Sequence, residues 1–168
     1  RPEEEGGAAA AGLRVLGVPA RVDQAALRAP DHAWLRPSRF IEVTGEGLNK
    51  LSEIFTEFAS TELQDVTPLQ MEKYQSAPFR APMVIILTTK ITEHPKVPKV
   101  EQMLSTATAA ENILLALHAK NYAGIWRTGK FAFNKKIAEY LDLTSDHEVI
   151  GYLYVGTPTG TNKKIPEL

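Results

Sequence analysis

The sequence contains no cysteine among its 168 residues. Disulfides, thiolate metal sites and cysteine nucleophiles are thereby excluded, and the composition fits a reducing cytoplasm. No apolar run approaches the roughly 18–20 residues of a membrane span. Residues 8–16 are somewhat apolar, but Glu3-Glu4-Glu5 precede them where a secretory signal carries positive charge. No charge of one sign dominates: the formal net charge is -1, and lysines and arginines are scattered. Nothing global therefore recruits nucleic acid or an anionic membrane. Glycine-rich phosphate loops of the G-x-G-x-x-G or P-loop type are missing, which argues against a standard dinucleotide or nucleoside-triphosphate fold. There is no G-x-S-x-G nucleophile elbow and no H-E-x-x-H metal spacing; His94, His118 and His147 lie far apart. Glu101 and Glu111 do not form a facing acid pair either, since a helical turn takes about 3.6 residues.

What is present is a globular composition, 43% apolar and 23% charged, and a length that suits one domain with a real core. Residues 1–24 differ from the rest: they hold Ala, Gly, Arg, Val, Glu and Pro but no Lys, Ile, Phe, Tyr, Asn, Ser or Thr. They read as a flexible Ala/Gly-rich arm or as a segment of separate origin, and residues 25–168 as the single domain.

The hydrophobic pattern predicts the elements of that domain. Asp23 caps a short helix that Pro30 and Asp31 end. Arg39-Phe40-Ile41-Glu42-Val43 alternates as a half-buried strand. A helix follows Gly47 with Leu48, Leu51, Ile54, Phe55 and Phe58 on one face, and a shorter one covers residues 68–75. Met83-Val84-Ile85-Ile86-Leu87 is apolar throughout, which suits a strand covered on both faces. The longest helix is predicted over residues 98–120, with Val100, Met103, Leu104, Ala107, Ala110, Ile113, Leu114 and Leu117 as a wide buried face and Pro98 in its first turn. Short elements follow: a strand over 123–126, a helix over 134–141 and a strand over 149–155. Irregular alternation of helices and strands points to an α+β layered fold, with helices packed on a mixed or antiparallel sheet.

Two segments nearly a hundred residues apart carry the most chemistry. Arg28-Ala29-Pro30-Asp31-His32 and Ile125-Trp126-Arg127-Thr128-Gly129 each place a cation and a second polar or aromatic group at the end of an element. A guanidinium presents a planar fork of donors for a phosphate or an electron-rich ring edge. Thr128 adds a hydroxyl, His32 a donor that need not be charged, and Trp126 a flat face with one N–H. Taken singly, each has an ordinary structural reading: a core tryptophan, a solvated turn, a helix-end cation, a local Asp31–His32 pair.

Jointly the segments resemble the nitroreductase family, in its compact YdjA-like NAD(P)H nitroreductase branch. The resemblance runs from residue 25 onward and is carried by these two segments and three more phrases. They are Ala77-Pro78-Phe79-Arg80-Ala81-Pro82, Lys96-Val97-Pro98 with Glu101-Gln102, and Ile150-Gly151-Tyr152-Leu153-Tyr154-Val155-Gly156-Thr157-Pro158. It implies an α+β fold built as an intertwined homodimer with FMN at the subunit interface. It implies a ping-pong oxidoreductase that passes electrons from NAD(P)H to a nitroaromatic or quinone-like small molecule, with no catalytic side chain, because the flavin carries the chemistry. Trp126, Arg127 and Thr128 would contact FMN from one subunit, and Arg28 and His32 from the partner. Ala116, Leu117, His118, Ala119, Lys120 and Asn121 would meet the nicotinamide dinucleotide. Two phrases depart from the family pattern. Glu3-Glu4-Glu5 stand near where an Arg-Arg-Ser-like triplet anchors the FMN phosphate, and carboxylates repel a phosphate. Arg36-Pro37-Ser38 replaces a Gln-Pro-Trp-like phrase, and the family's C-terminal tail would continue past Leu168. The second reading is a non-catalytic binding or scaffold domain that keeps the core without a working flavin site.

Overall fold

A computed structural model describes residues 22–160. The reading of residues 1–24 as an arm, and with it the Glu3-Glu4-Glu5 position, falls mostly or wholly outside the described residues. The described chain runs α1 (Val22–Ala26), β1 (Ser38–Thr44), α2 (Glu46–Glu62), α3 (Pro68–Ser76), β2 (Met83–Lys90), α4 (Lys99–Ala119), β3 (Ala123–Arg127), α5 (Lys135–Tyr140) and β4 (His147–Gly156). Short 3-10 turns lie at His32–Trp34, Ala77–Arg80 and Gly129–Phe131. The strands form one sheet in the order β1-β2-β4-β3, and every pairing is antiparallel. The α+β expectation is met, with the sheet antiparallel rather than mixed.

Both faces of the sheet are covered, and the strand alternation shows how. In β2, Val84 and Ile86 join one core with Leu51, Phe55 and Phe58 of α2 and Ile137 and Leu141 around α5. Ile85 and Leu87 join the other, with Ala109, Ala110, Ile113 and Leu117 of α4 and Val22 and Ala26 of α1. The two-sided apolar run of β2 is thus the center of the fold. The strand predicted as half-buried, β1, is also covered on both sides, with Phe40 on the α4 face and Ile41 and Val43 on the α2 face. Adjacent β-residues point to opposite faces, so the apolar pair Phe40-Ile41 already requires two packed layers.

Local signals set several boundaries. The Thr67 side chain accepts from Gln70 N at 3.3 Å, and Gln70 Oε1 accepts from Thr67 N at 2.9 Å, a reciprocal capping box that starts α3. Asn134 caps α5 through Lys136 N at 3.0 Å. Asp23, expected as a cap, lies inside α1. The long helix differs most from expectation. Its buried face is Gln102, Ser105, Thr106, Ala109, Ala110, Ile113 and Leu117, whereas Val100 and Leu104 are 58% and 57% exposed. Polar side chains go inward because each finds a partner. Gln102 accepts from Thr92 N at 2.9 Å and donates to Thr92 O at 2.8 Å and Val97 O at 3.2 Å. Thr106 accepts from Thr89 of β2 at 2.9 Å. A fully bonded amide can be buried at little cost, so apolarity alone misplaces the face.

One irregularity matters for the site. Leu87 pairs with Gly151 but Thr88 pairs with Val149, which leaves Ile150 as an extra residue in β4. This is a β-bulge. It keeps Val149 and Tyr152 on the α2 face while Ile150 and Leu153 stay on the α4 face.

Candidate functional site

The end of β3 and the turn after it border a cavity of about 460 Å³ on the α2 face of the sheet. Strand pairing decides which side chains reach it. Arg127 is paired with Tyr152, and both belong to that face. Thr128, Gly129 and Lys130 continue around the cavity, and the positive φ of Gly129, 60°, turns the chain there. Phe131 anchors the turn. Its ring stacks on Phe55 with centroids 4.0 Å apart and planes at 11°, and the Tyr152 hydroxyl donates to its carbonyl at 2.7 Å. The Tyr74 ring meets Phe131 edge-on at 5.1 Å.

The opposite wall comes from α3 and the 3-10 turn after it, which supply Lys73, Tyr74, Ala77 and Arg80. Ala77 and Pro78 are buried, and Ser52 of α2 donates to Gln75 O at 2.6 Å, which ties this wall to the core. Tyr154 projects beside Tyr152 from β4. Burial pushes the Tyr154 phenol above its ordinary pKa, while the guanidiniums of Arg80 and Arg127 pull it back. Both cations therefore act on the same phenol. Burial also holds the Tyr152 phenol well up.

Four cations line this cavity, Lys73, Arg80, Arg127 and Lys130, and no Asp or Glu does. None of the four has a carboxylate partner among the described residues. With the Thr128 hydroxyl and a floor of Phe55, Phe131 and Tyr152, the donor set suits a ligand that is both flat and anionic.

The sequence-predicted residues divide among three places. Arg127 and Thr128 line the cavity. Trp126 also borders it, but its indole is directed to the other face of the sheet. It pairs with Leu153, packs against the α4 core and donates through Nε1 to Ile150 O at 3.3 Å. Arg28 and His32 belong to the α4 face. His32 Nδ1 lies 3.1 Å from Ser105 Oγ, and its Nε2 lies 3.9 Å from a Glu101 carboxylate oxygen. Asp31 does not bond His32; its Oδ2 accepts from Arg36 N at 2.7 Å. Arg28 is exposed, with its backbone N donating to Ala25 O at 3.1 Å. Residues 116–121 form the end of α4. Asn121 adopts φ 63°, its N–H bonds His118 O at 3.0 Å, and Tyr122 N bonds Leu117 O at 3.0 Å. That is a Schellman cap. Leu117 is buried, and Ala116 packs against the same core.

Arg80, Lys73, Lys130 and Tyr154 were not singled out from the sequence. Tyr152 and Tyr154 share a strand face by period two, which was a usable signal. The convergence of Lys73 and Arg80 on Arg127 was not readable, because it depends on how α3 packs across the sheet.

Comparisons with known proteins agree with this fold. A model of the nitroreductase family matches residues 20–157. A protein of Escherichia coli K12 named "Putative NAD(P)H nitroreductase YdjA" is 32% identical over 86% of this chain and 79% of its own. A Haemophilus influenzae relative named in the same way, without the YdjA designation, is 36% identical over 82% of this chain and 74% of its own. Among solved structures, a nitroreductase-like family protein from Bacillus cereus superposes with a TM-score of 0.70 at 19% identity, over 88% of this chain and 77% of that one. A nitroreductase with bound FMN from Bacteroides fragilis gives a TM-score of 0.63 at 22% identity, over 91% and 85%. A family model that spans most of the chain, relatives above 30% identity and the shared fold lead to one conclusion: this chain belongs to the nitroreductase family, whose members are oxidoreductases.

Proposed function

We propose that the protein is an FMN-dependent oxidoreductase that takes electrons from NAD(P)H, with the flavin bound at the cavity beside Arg127 and Thr128. The observation that carries this reading is the donor set: four cations and a hydroxyl around an aromatic floor, with no carboxylate among the lining residues. These residues fit a flavin mononucleotide, which joins a planar ring system to a phosphate. When bound, FMN supplies hydride and electron transfer, in a ping-pong cycle, between NAD(P)H and a nitroaromatic or quinone-like acceptor.

The chain's own residues bind and orient. The Arg127 guanidinium and the Thr128 hydroxyl donate to the flavin, and the Phe131 anchor holds their turn in place. Trp126 acts from behind, since its half-buried indole sets the position of the strand end. Arg28 and His32 reach the flavin of a second subunit in a homodimer. Their place on the opposite face of the sheet supports this, because one protomer cannot bring both segments into one cavity. Exposed Val100, Leu104 and Leu115 on α4, with Trp34 beside it, supply apolar surface for such a dimer. The α4 end, residues 116–121, meets the nicotinamide dinucleotide, with Lys120 and His118 as its exposed polar groups.

The test is direct. Purified protein is expected to be yellow, to take up FMN when stripped, and to oxidise NAD(P)H when given a nitroaromatic. Arg127→Ala is expected to weaken FMN binding by about tenfold or more, the scale of a lost charge-assisted hydrogen bond. A colourless protein that leaves added FMN free in solution would sink the reading.

A further inference from the structure

We propose that Asn112 and Ser105 are a positioning pair: two clamps on α4 that hold the segment 25–32 and thereby aim Arg28 and His32. Their target, the flavin of a second subunit, rests on the functional reading above; the clamps themselves do not. At one end, the Ala25 carbonyl accepts from Asn112 Nδ2 at 3.1 Å and from Arg28 N at 3.1 Å. Ala25 lies in the last turn of α1, where carbonyls lack a helical partner. At the other end, His32 Nδ1 lies 3.1 Å from Ser105 Oγ, and that hydroxyl donates to Glu101 O at 3.1 Å. Ser105 and Asn112 are seven residues apart, about two turns or 10 Å along the helix, and so share a face. Ala25 and His32 are also seven residues apart. The segment thus runs antiparallel to α4 and is tied to it at both ends, with Arg28 between the ties.

This segment has little structure of its own. α1 is five residues long, too short to be stable in isolation. Past His32 the chain turns away through positive φ at Ala33 and Trp34, 55° and 56°. Val22 and Ala26 pack against Ala109, Ala110, Ile113 and Leu117, which keeps α1 on α4. Apolar contacts are non-directional, whereas hydrogen bonds fix direction. Ser105 is 3% exposed and Asn112 is half-buried. An apolar side chain in either place would leave no polar group to satisfy. The hydroxyl and the amide therefore give the segment orientation rather than extra burial. What they orient remains available to a ligand. The Arg28 side chain has no hydrogen bond or ion pair among the described residues, and the His32 side chain is 47% exposed.

Asn112→Asp keeps the shape but removes the donor, and Ser105→Ala removes the hydroxyl. Flavin fluorescence would give the FMN affinity of each, alone and in Arg28→Ala/His32→Ala protein, as a double-mutant cycle. Each clamp variant is expected to weaken FMN binding by about three- to tenfold, the scale of one hydrogen bond. It should weaken binding no further once Arg28 and His32 are gone. Ser105→Thr, which keeps the hydroxyl, should retain the wild-type affinity. Equal losses in both backgrounds would make the clamps merely structural and overturn the proposal, as would no loss in either. A second readout needs no flavin. The chain has two tryptophans, so Trp126→Phe leaves Trp34, two residues past His32 and 81% exposed, as a lone reporter. Its fluorescence anisotropy is expected to fall when Ser105→Ala and Asn112→Asp are added. An unchanged anisotropy would overturn the clamps whatever FMN does. A wild type that binds no FMN, with that fall present, would end the functional reading and keep the clamps.

Discussion

The Trp126 indole fills the space that a side chain at Gly151 would need: a β-carbon built there would lie 2.0 Å from Trp126 Nε1. The bulge in β4 makes this contact possible, since Ile150 has no partner in β2 and its carbonyl accepts the indole N–H at 3.3 Å. Gly151 also has φ 154°, which a side chain disfavors. Gly151→Ala should therefore expel the indole and destabilise the protein by about 1–3 kcal/mol. Chemical denaturation would measure the loss, and near-UV circular dichroism would report the displaced tryptophan. An unchanged denaturation midpoint would show that the indole does not depend on this glycine.

Trp126→Phe separates structure from binding. The phenyl ring keeps most of the apolar packing but loses the hydrogen bond to Ile150, so a stability loss of about 1 kcal/mol is expected. FMN affinity should change by less than about threefold, because the indole points away from the cavity. A loss of flavin as large as that of Arg127→Ala would place the indole against the ring after all.

Phe131 joins the core to the cation-bearing turn. Phe131→Ala removes a ring stacked on Phe55 and in edge contact with Tyr74, and should cost about 3–5 kcal/mol. Because Thr128 and Lys130 lose their support, FMN affinity should fall along with stability. Urea unfolding and flavin titration on the same preparation would check both; full affinity in a destabilised but folded variant would dissociate the turn from the site.

Tyr154 offers a pH readout of the cavity. Burial raises its pKa, and Arg80 and Arg127 oppose the rise. Arg80→Met removes one opposing charge, so the phenol should ionise at higher pH than in the wild type. The sign for stability follows from the raised value: the folded state prefers the protonated phenol. This contribution is complete below the ordinary tyrosine value of about 10 and is lost as pH rises through the higher folded value. Phenolate absorbance near 295 nm, with Tyr154→Phe to assign the transition, would follow it; a downward shift in Arg80→Met would contradict the placement of that guanidinium.

Ser105 is placed to select the tautomer of His32. Its hydroxyl donates to Glu101 O at 3.1 Å, so its lone pairs face His32 Nδ1 at 3.1 Å. Neutral His32 should carry its proton on Nδ1, leaving Nε2 as an acceptor. Nitrogen-15 NMR of the imidazole would show this form in the wild type and a shift toward the Nε2–H form in Ser105→Ala. The same spectrum in both proteins would mean that the hydroxyl does not orient the ring.

Much of the fold was legible before any coordinates. The run Val84–Leu87 could be satisfied only by two covering layers. Leu48, Leu51, Phe55 and Phe58 at helical spacing could belong only to a helix on one of those layers, and the phrases around Arg28, Arg80, Arg127 and Gly151 pointed to the family. Boundaries came from local chemistry, as at Thr67 and Asn134, where a cap needs only its neighbors in the chain. The face of α4 was legible at Ala110, Ile113 and Leu117 but not in its first turns, because burial of Gln102, Ser105 and Thr106 depends on partners in β2 and in the loop before the helix, which no helical period reveals. Trp126, which the family resemblance put at the flavin, does border the cavity, but strand pairing and the bulge at Ile150 turn its ring toward α4, which the sequence did not reveal. Secondary structure, layering and family thus lay in the sequence, because they follow from local propensity, hydrophobic period and ordered motifs. The gathering of Lys73, Arg80, Arg127 and Lys130 was decided by the tertiary structure alone, since contacts between residues so distant in sequence depend on how packed layers bring their edges together.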